Sequence, residues 1–289
     1  MKDPLWPITL TRKISDIHSG GFSMEEEKAL GFKEGELFEK PAQLHEIITF
    51  HKKNLKRNLD LYKEKYLVNN KDYKEIKLNV FVHKSAQIDE QVVFNYDEGI
   101  IVIEEGVHIM PFSYLVGPLR IDKYVVVNPY SHISNSYIGK VCKVGGEIKR
   151  VVMESYSNKA HHGFLGEAYV GSWVNIGGGA SMSNLKNTYG TIKQGGIDTG
   201  EICIGPIIAD HVKIAINATI YTGKIIGVSS HVYGTVTEDV PSFTNYISKE
   251  NMVTLPLDVA IKIAGRMQKR RNIEISDEDK AVLSYAYTE

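Results

Sequence analysis

An aliphatic residue at every sixth position is what most restricts the folds open to this chain. Ile103, Ile109, Leu115, Ile121 and Val127 run in strict register, and Ile208, Ile214, Ile220, Ile226 and Val232 do so again further on. Val82 and Ile88 open the pattern, Ile138 and Val144 resume it after a five-residue unit, and Val170 and Ile176 continue it. In the first run the fifth residue of each unit (Val107, Ser113, Leu119, Val125, Ser131) is mostly small or β-branched. A helix repeats apolar residues near every 3.6 positions and a half-buried strand every second one, so neither gives a beat of six. A fixed short repeat instead predicts a solenoid. The physical solution is a mainly β protein built as a parallel β-helix of triangular section. One hexad forms each side, its aliphatic residue points into the prism, and its small fifth residue fits near a corner. Each rung buries its apolar face only against the rungs above and below.

The beat divides the chain into residues 1–79 before it, the solenoid over 80–240, and a tail over 241–289. In the first part Leu5-Trp6-Pro7-Ile8-Thr9-Leu10-Thr11-Arg12 reads as a strand with prolines at its edge. Residues 23–31 and 41–66 read as helices, with Pro41 in the first turn of the second. Leu44, Ile47, Ile48, His51, Leu55, Leu59 and Tyr62 recur there at helical spacing, and the Lys and Arg between them form a solvated face. Residues 182–203 break the beat and predict a loop thrown out from the prism, a length that is uncommon in a loop without a function. After Val240-Pro241 the pattern turns helical. Leu257, Ala260, Ile261, Ala264 and Met267 share a face, and Ser276 with Asp279 predicts a capped last helix. These tail helices are expected to cover the end of the solenoid, or a neighbouring subunit, and not to carry chemistry.

Composition narrows the function classes. A net charge of −1, with no stretch that concentrates Lys and Arg beside exposed aromatics, argues against nucleic acid as a partner. The two cysteines, Cys142 and Cys203, lack metal-ligand spacing and imply neither a zinc site nor a disulfide framework. The opening Met1-Lys2-Asp3-Pro4 has no apolar signal-peptide core, and no run reaches the ~18 apolar residues of a membrane span. The expectation is a cytoplasmic protein that meets no membrane.

Chemistry concentrates between residues 144 and 193, where the beat is interrupted by Gly, His, Lys and Asn. His161 and His162 titrate near neutrality, so either imidazole can accept a proton from an attacking amine or hydroxyl. Lys149, Lys159 and Lys193 suit a phosphate or carboxylate. Asn175 and Asn184 offer amides to sugar hydroxyls. Gly178 lets a backbone N–H approach a developing oxyanion without side-chain obstruction. Neither cysteine has a partnering base nearby in sequence, which favours direct transfer over a covalent enzyme intermediate.

Gly145-Gly146-Glu147, Tyr156-Ser157-Asn158-Lys159-Ala160-His161-His162-Gly163-Phe164-Leu165-Gly166, Asn175-Ile176-Gly177 and Ser183-Asn184-Leu185-Lys186-Asn187 together resemble the C-terminal domain of the GlmU-type bifunctional enzymes. Those enzymes combine glucosamine-1-phosphate N-acetyltransferase with N-acetylglucosamine-1-phosphate uridylyltransferase activity. The likeness covers roughly residues 80–240, and the tail around Leu257 to Arg271 resembles the alternative sugar-phosphate nucleotidylyltransferase branch. The resemblance implies a left-handed coil. It makes His161 the general base that deprotonates an amino-sugar phosphate, or a nucleotide-linked amino sugar, attacking acetyl-CoA. It places Lys149 and Lys193 at the sugar phosphate and has Asn175 and Asn184 orient substrate. Gly178, Ile216 and Gly234 would face the acetyl-CoA arm through their backbones. It also implies a homotrimer with sites between subunits.

The chain departs from that pattern in several places. The family's Leu-Arg-Pro-Gly turn has no counterpart, Asn128-Pro129-Tyr130-Ser131-His132 standing nearby, and Phe164 and Leu185 replace tyrosines. At the front, Leu5 to Arg12 and Ile17-His18-Ser19-Gly20 resemble the opening of that branch's nucleotidylyltransferase domain. Only about 70 residues precede the hexads, against the ~200 of a doubly wound nucleotide-binding domain. No uridylyltransferase activity is therefore expected of this chain. The competing expectation is a non-catalytic solenoid that binds a sugar nucleotide, or carries a separate nucleotidylyltransferase subunit.

Overall fold

The computed structural model describes residues 3–289, and its scaffold is a parallel β-helix of three faces with helices outside it. Eight complete turns run from Val80 to Val236, and a ninth is begun by the bridge between Ile226 and Val240 and by the strand Thr244–Ser248. The fifth turn shows the plan. Val152–Met153 lies on the first face, Asn158–Lys159 on the second and Phe164–Gly166 on the third, each paired in parallel with the turns on either side. Antiparallel strands close both ends, Tyr73–Lys77 on the first turn and Asn251–Thr254 on the last.

The hexad residues do what their spacing predicts. Ile103, Ile109, Leu115, Ile121 and Val127 are fully buried in one continuous core with Ile208, Ile214, Ile220, Ile226 and Val232. Val107, Ser113, Val125 and Ser131 are buried beside them, where small side chains fit the corners. A bend between faces needs the left-handed backbone region. On the edge between the first and second faces Tyr124, Tyr156, Trp173 and His211 all take positive φ, at about 1–2 kcal/mol each. Stacking along the edge offsets part of that cost; the Tyr156 and Trp173 rings lie 4.4 Å apart and 13° from parallel.

The segments outside the beat pack along the prism. Residues 5–12 do not form a strand. They make tight turns around the 3-10 segment Ile8–Leu10, with Leu5 and Ile8 buried against Tyr137, Val152, Tyr169 and Ile207 of the first face. The segment crosses the face of a sheet and meets no free edge, so strand pairing is not open to it. Helix α1 (Met24–Ala29) follows, then α2 (Leu44–Tyr62), whose Leu55, Leu59 and Tyr62 pack with Phe81, Ile100 and Val102. Pro41 lies before α2 and not in its first turn.

A buried ionic seam fastens this first segment to the prism. Arg12 reaches Asp210 at 2.7 Å and Glu154 at 3.4 Å, and Arg120 reaches Glu26 at 2.8 Å. His18 stacks on Tyr137 and meets Glu154 through Nδ1 at 2.8 Å. Burial disfavours the charge on His18, but Glu154 and Glu26 overcome it and raise its pKa to about 9. Burial likewise opposes the Glu154 carboxylate, yet His18 and Arg12 bring it down to about 2.

The interruption at 182–203 is largely exposed, as expected of a loop outside the prism, but it is tethered at Ile192. Ile192 and Ile204 are buried on the first face, and Lys193–Gln194 pairs with Ile197–Asp198 as a short hairpin. The tail is not helical from its start, because the Thr244–Ser248 and Asn251–Thr254 strands come before α3 (Leu257–Lys269) and α4 (Asp277–Thr288). Ser276 and Asp279 cap α4 as their spacing predicts. No helix among the described residues is long and apolar enough to cross a membrane.

Candidate active site

The turn from the second to the third face in the fifth rung, Ala160-His161-His162-Gly163, carries both histidines on its outer side, exposed. Every carbonyl of the turn and its entry is held. Gly145 N–H donates to Lys159 O at 2.7 Å, Asn128 Nδ2 to Ala160 O at 2.7 Å, and Lys159 Nζ to His161 O at 3.0 Å. Gly179 N–H donates to His162 O at 3.0 Å and Glu147 N–H to Gly163 O at 3.2 Å. Gly163, at φ 123°, also takes a backbone conformation that side chains rarely adopt.

His161 lines a cleft of about 310 Å³ together with Asn158, Asn175, Gly178, Ile216 and Lys143 of the second face and its edge. Its far wall is the end of α3, through Arg270 and Arg271. An adjoining cavity of about 240 Å³ shares Asn158, Asn175 and both arginines, and adds Lys213 and Arg266. Arg271 donates to Asn158 Oδ1 at 2.7 Å, while its buried Nε has no hydrogen-bond partner. Burial, with Arg270 beside it, lowers the Arg271 pKa. Lys213 gives two hydrogen bonds to the carbonyls of Trp173 and His211, and burial brings its pKa down to about 7. Cations crowded together with an unused buried donor form a pocket that an anionic oxygen would relieve.

Four of the residues singled out in the sequence thus meet at one cleft: His161, Asn175, Gly178 and Ile216. The others lie elsewhere in this chain. Lys149 is half-buried at the far end of the third-face strand, in register with Ser134 and Gly166. Asn184 stands near that end and donates to Glu167, a fully buried carboxylate also gripped by Arg150. Lys193 is exposed on the hairpin over the first face, and Gly234 occupies the same edge as Gly178 two turns further on. Phe164 lies over Gly166, where an added Cβ would come within 2.5 Å of its ring.

Lys159 needs correction. It is not available to a phosphate, because it takes an inward hexad position, is 1% exposed, and spends its ammonium on the carbonyls of Gly145 and His161. Burial lowers its pKa to about 8. The tail needs correction too, since α3 does not merely cover the solenoid but contributes the arginine wall. The only sequence sign of this was the run Arg266 to Arg271, with four basic residues at the end of a helix. Among the described residues no group of three or more His, Cys, Asp or Glu is placed to hold a metal ion, and both cysteines are free.

No protein-family model matches the chain. Curated relatives include the bifunctional protein GlmU of Jannaschia sp., 27% identical over 203 residues, which cover 69% of this chain and 41% of that protein. The bifunctional sugar-1-phosphate nucleotidylyltransferase/acetyltransferase of Sulfurisphaera tokodaii is 28% identical over 161 residues, which cover 53% of this chain and 39% of that protein. Among solved structures, the N-acyltransferase AntD from Bacillus cereus is 18% identical and covers 67% of this chain and 89% of its own, at a TM-score of 0.29. So loose a superposition adds nothing to the fold described above. The chain spans about two fifths of the length of the curated relatives it matches. It is similar in sequence to the bifunctional GlmU proteins over about 60% of its own length, and its scaffold is the parallel β-helix that the hexads predict.

Proposed function

We propose that this chain is an N-acetyltransferase that moves the acetyl group of acetyl-CoA to the amine of an amino-sugar phosphate or a nucleotide-linked amino sugar. The observation that carries the reading is the position of His161. It is exposed on a turn whose carbonyls are all hydrogen-bonded, and it lines a cleft with Arg270, Arg271 and Lys143. The names of the GlmU and sugar-1-phosphate nucleotidylyltransferase/acetyltransferase relatives supply the reaction class. His161 would take the proton from the amine as it adds directly to the thioester carbonyl. The tetrahedral adduct would then break its C–S bond to give the amide and CoA thiolate, which takes the proton back from the imidazolium and leaves as free CoA thiol. The Gly178 backbone would lie along the acyl arm, and the arginine wall would bind the anionic part of the donor. Asn175 would orient the acceptor. Lys149 and Asn184, too far round the prism to join His161 in the same chain, would enter the site from a neighbouring copy in a homotrimer.

His161→Ala should lower kcat by about a hundred-fold or more, the size of a general-base contribution. Turnover of glucosamine-1-phosphate with acetyl-CoA, followed by thiol release, measures it, and an unchanged rate removes His161 from the role. The scaffold reading predicts instead that no acetyl group moves in wild-type protein, and that a nucleotidylyltransferase subunit is recovered bound to the chain.

A further inference from the structure

The inward positions on the second face run Val127, Val144, Lys159, Ile176 and Ile214 through successive turns. The other four positions of this column are Ile or Val. A buried ammonium there costs desolvation that an aliphatic residue would not, so the position is set by something other than the core. The carbonyls of the His161 turn show what that is. Four of the five from Lys159 to Gly163 are met by neighbouring backbone amides or by Asn128, whereas His161 O is met by Lys159 Nζ, at 3.0 Å. The same ammonium donates to Gly145 O, one turn below, at 2.8 Å. One side chain therefore ties the carbonyl of the histidine to the adjacent rung from inside the prism.

We propose that Lys159 is a positioning residue that fixes the backbone of His161, and with it the direction of the imidazole, from within the core. Its consequence for catalysis rests on the reading of His161 as the base; its hold on the turn does not. Lys159 touches no substrate, so its loss should leave substrate affinity intact while it misplaces the imidazole.

The test compares wild-type protein with Lys159→Ile, which restores the hexad pattern, and Lys159→Met, a thread of similar length without donors. The expected result is a Tm equal to or above wild type for Lys159→Ile, with KM for both substrates within about twofold. The corresponding fall in kcat is about ten- to a hundred-fold, the scale of a small misplacement of a catalytic group. Hydrogen exchange of the 160–164 segment should accelerate while that of neighbouring turns stays the same. An unchanged kcat or an unchanged exchange of that segment overturns the proposal. Should Lys159→Ile fail to fold, Lys159→Met carries the same readouts. If wild-type protein transfers no acetyl group, the reading of His161 fails separately, and exchange of the turn alone decides whether Lys159 holds it.

Discussion

At the residue scale the cleft gathers groups that the chain keeps far apart. Arg271 meets Asn158 across 113 positions of sequence, and its buried Nε is left without an acceptor. A buried donor with no partner carries its desolvation cost until a ligand supplies one. Arg271→Ala should therefore weaken binding of CoA by about ten-fold or more, as expected for a hydrogen bond to a charged group. Isothermal titration with CoA checks this. Affinity unchanged from wild type would place the anion elsewhere. Asn184 illustrates the opposite case. Its amide looks free for a sugar hydroxyl in sequence, but in the fold its Nδ2 is given to Glu167, which leaves only the amide oxygen to meet a substrate.

At the element scale the first segment behaves as a strap laid along the first face and pinned by charge. His18 has a pKa raised from 6.5 to about 9, so its contribution to docking is complete below pH 6.5 and is lost as pH rises through 9. Glu154 is lowered from 4.5 to about 2, so its contribution is complete above 4.5 and is lost as pH falls through 2. The strap is held most firmly between those limits, at about pH 4.5 to 6.5. Limited proteolysis within residues 5–20 should accelerate from pH 7 to pH 9.5 while cleavage in the prism does not. His18→Gln should show the fast rate already at pH 6. A rate for wild-type protein that stays flat across this range would mean that apolar burial of Leu5, Ile8 and Ile17 holds the strap alone. The arginine wall is an element-scale matter as well. Helix α3 is placed by Ala260 and Ala264 packing on Ala209 and Val228, and that docking carries Arg270 and Arg271 to the cleft.

At the scale of the whole molecule stability is built turn upon turn. Each rung contributes three inward side chains, and a buried aliphatic is worth about 1.5–3 kcal/mol. Ile148→Ala, in the middle of the stack, should destabilise the chain by about 2–5 kcal/mol in urea unfolding, because the rigid rungs above and below cannot close the cavity. A cost well under that would mean the prism relaxes there. Cys142 offers a probe of the same core. It is fully buried, its thiol pushed up to about 12 by burial, so it should resist alkylation until the stack opens. Half-exposed Cys203 should label first.

The hexad period alone determined the prism and the inward residues of its two unbroken runs, because each rung is specified by contacts a fixed distance along the chain. The resemblance built on the 145–187 motifs pointed to His161, Asn175, Gly178 and Ile216, which the coil brings together for the same local reason. Only the tertiary structure decided where the non-repeating parts lie. The stretch 5–12 reads as a strand but crosses a face with no edge to pair with, and α3 reads as an amphipathic cover but brings cations to the cleft. Lys159 shows the difference most directly. The register of the turns places it in the core, yet in the sequence, as a lysine among glycines and histidines, it reads as a ligand. The choice between those two readings depended on which carbonyls its ammonium could reach.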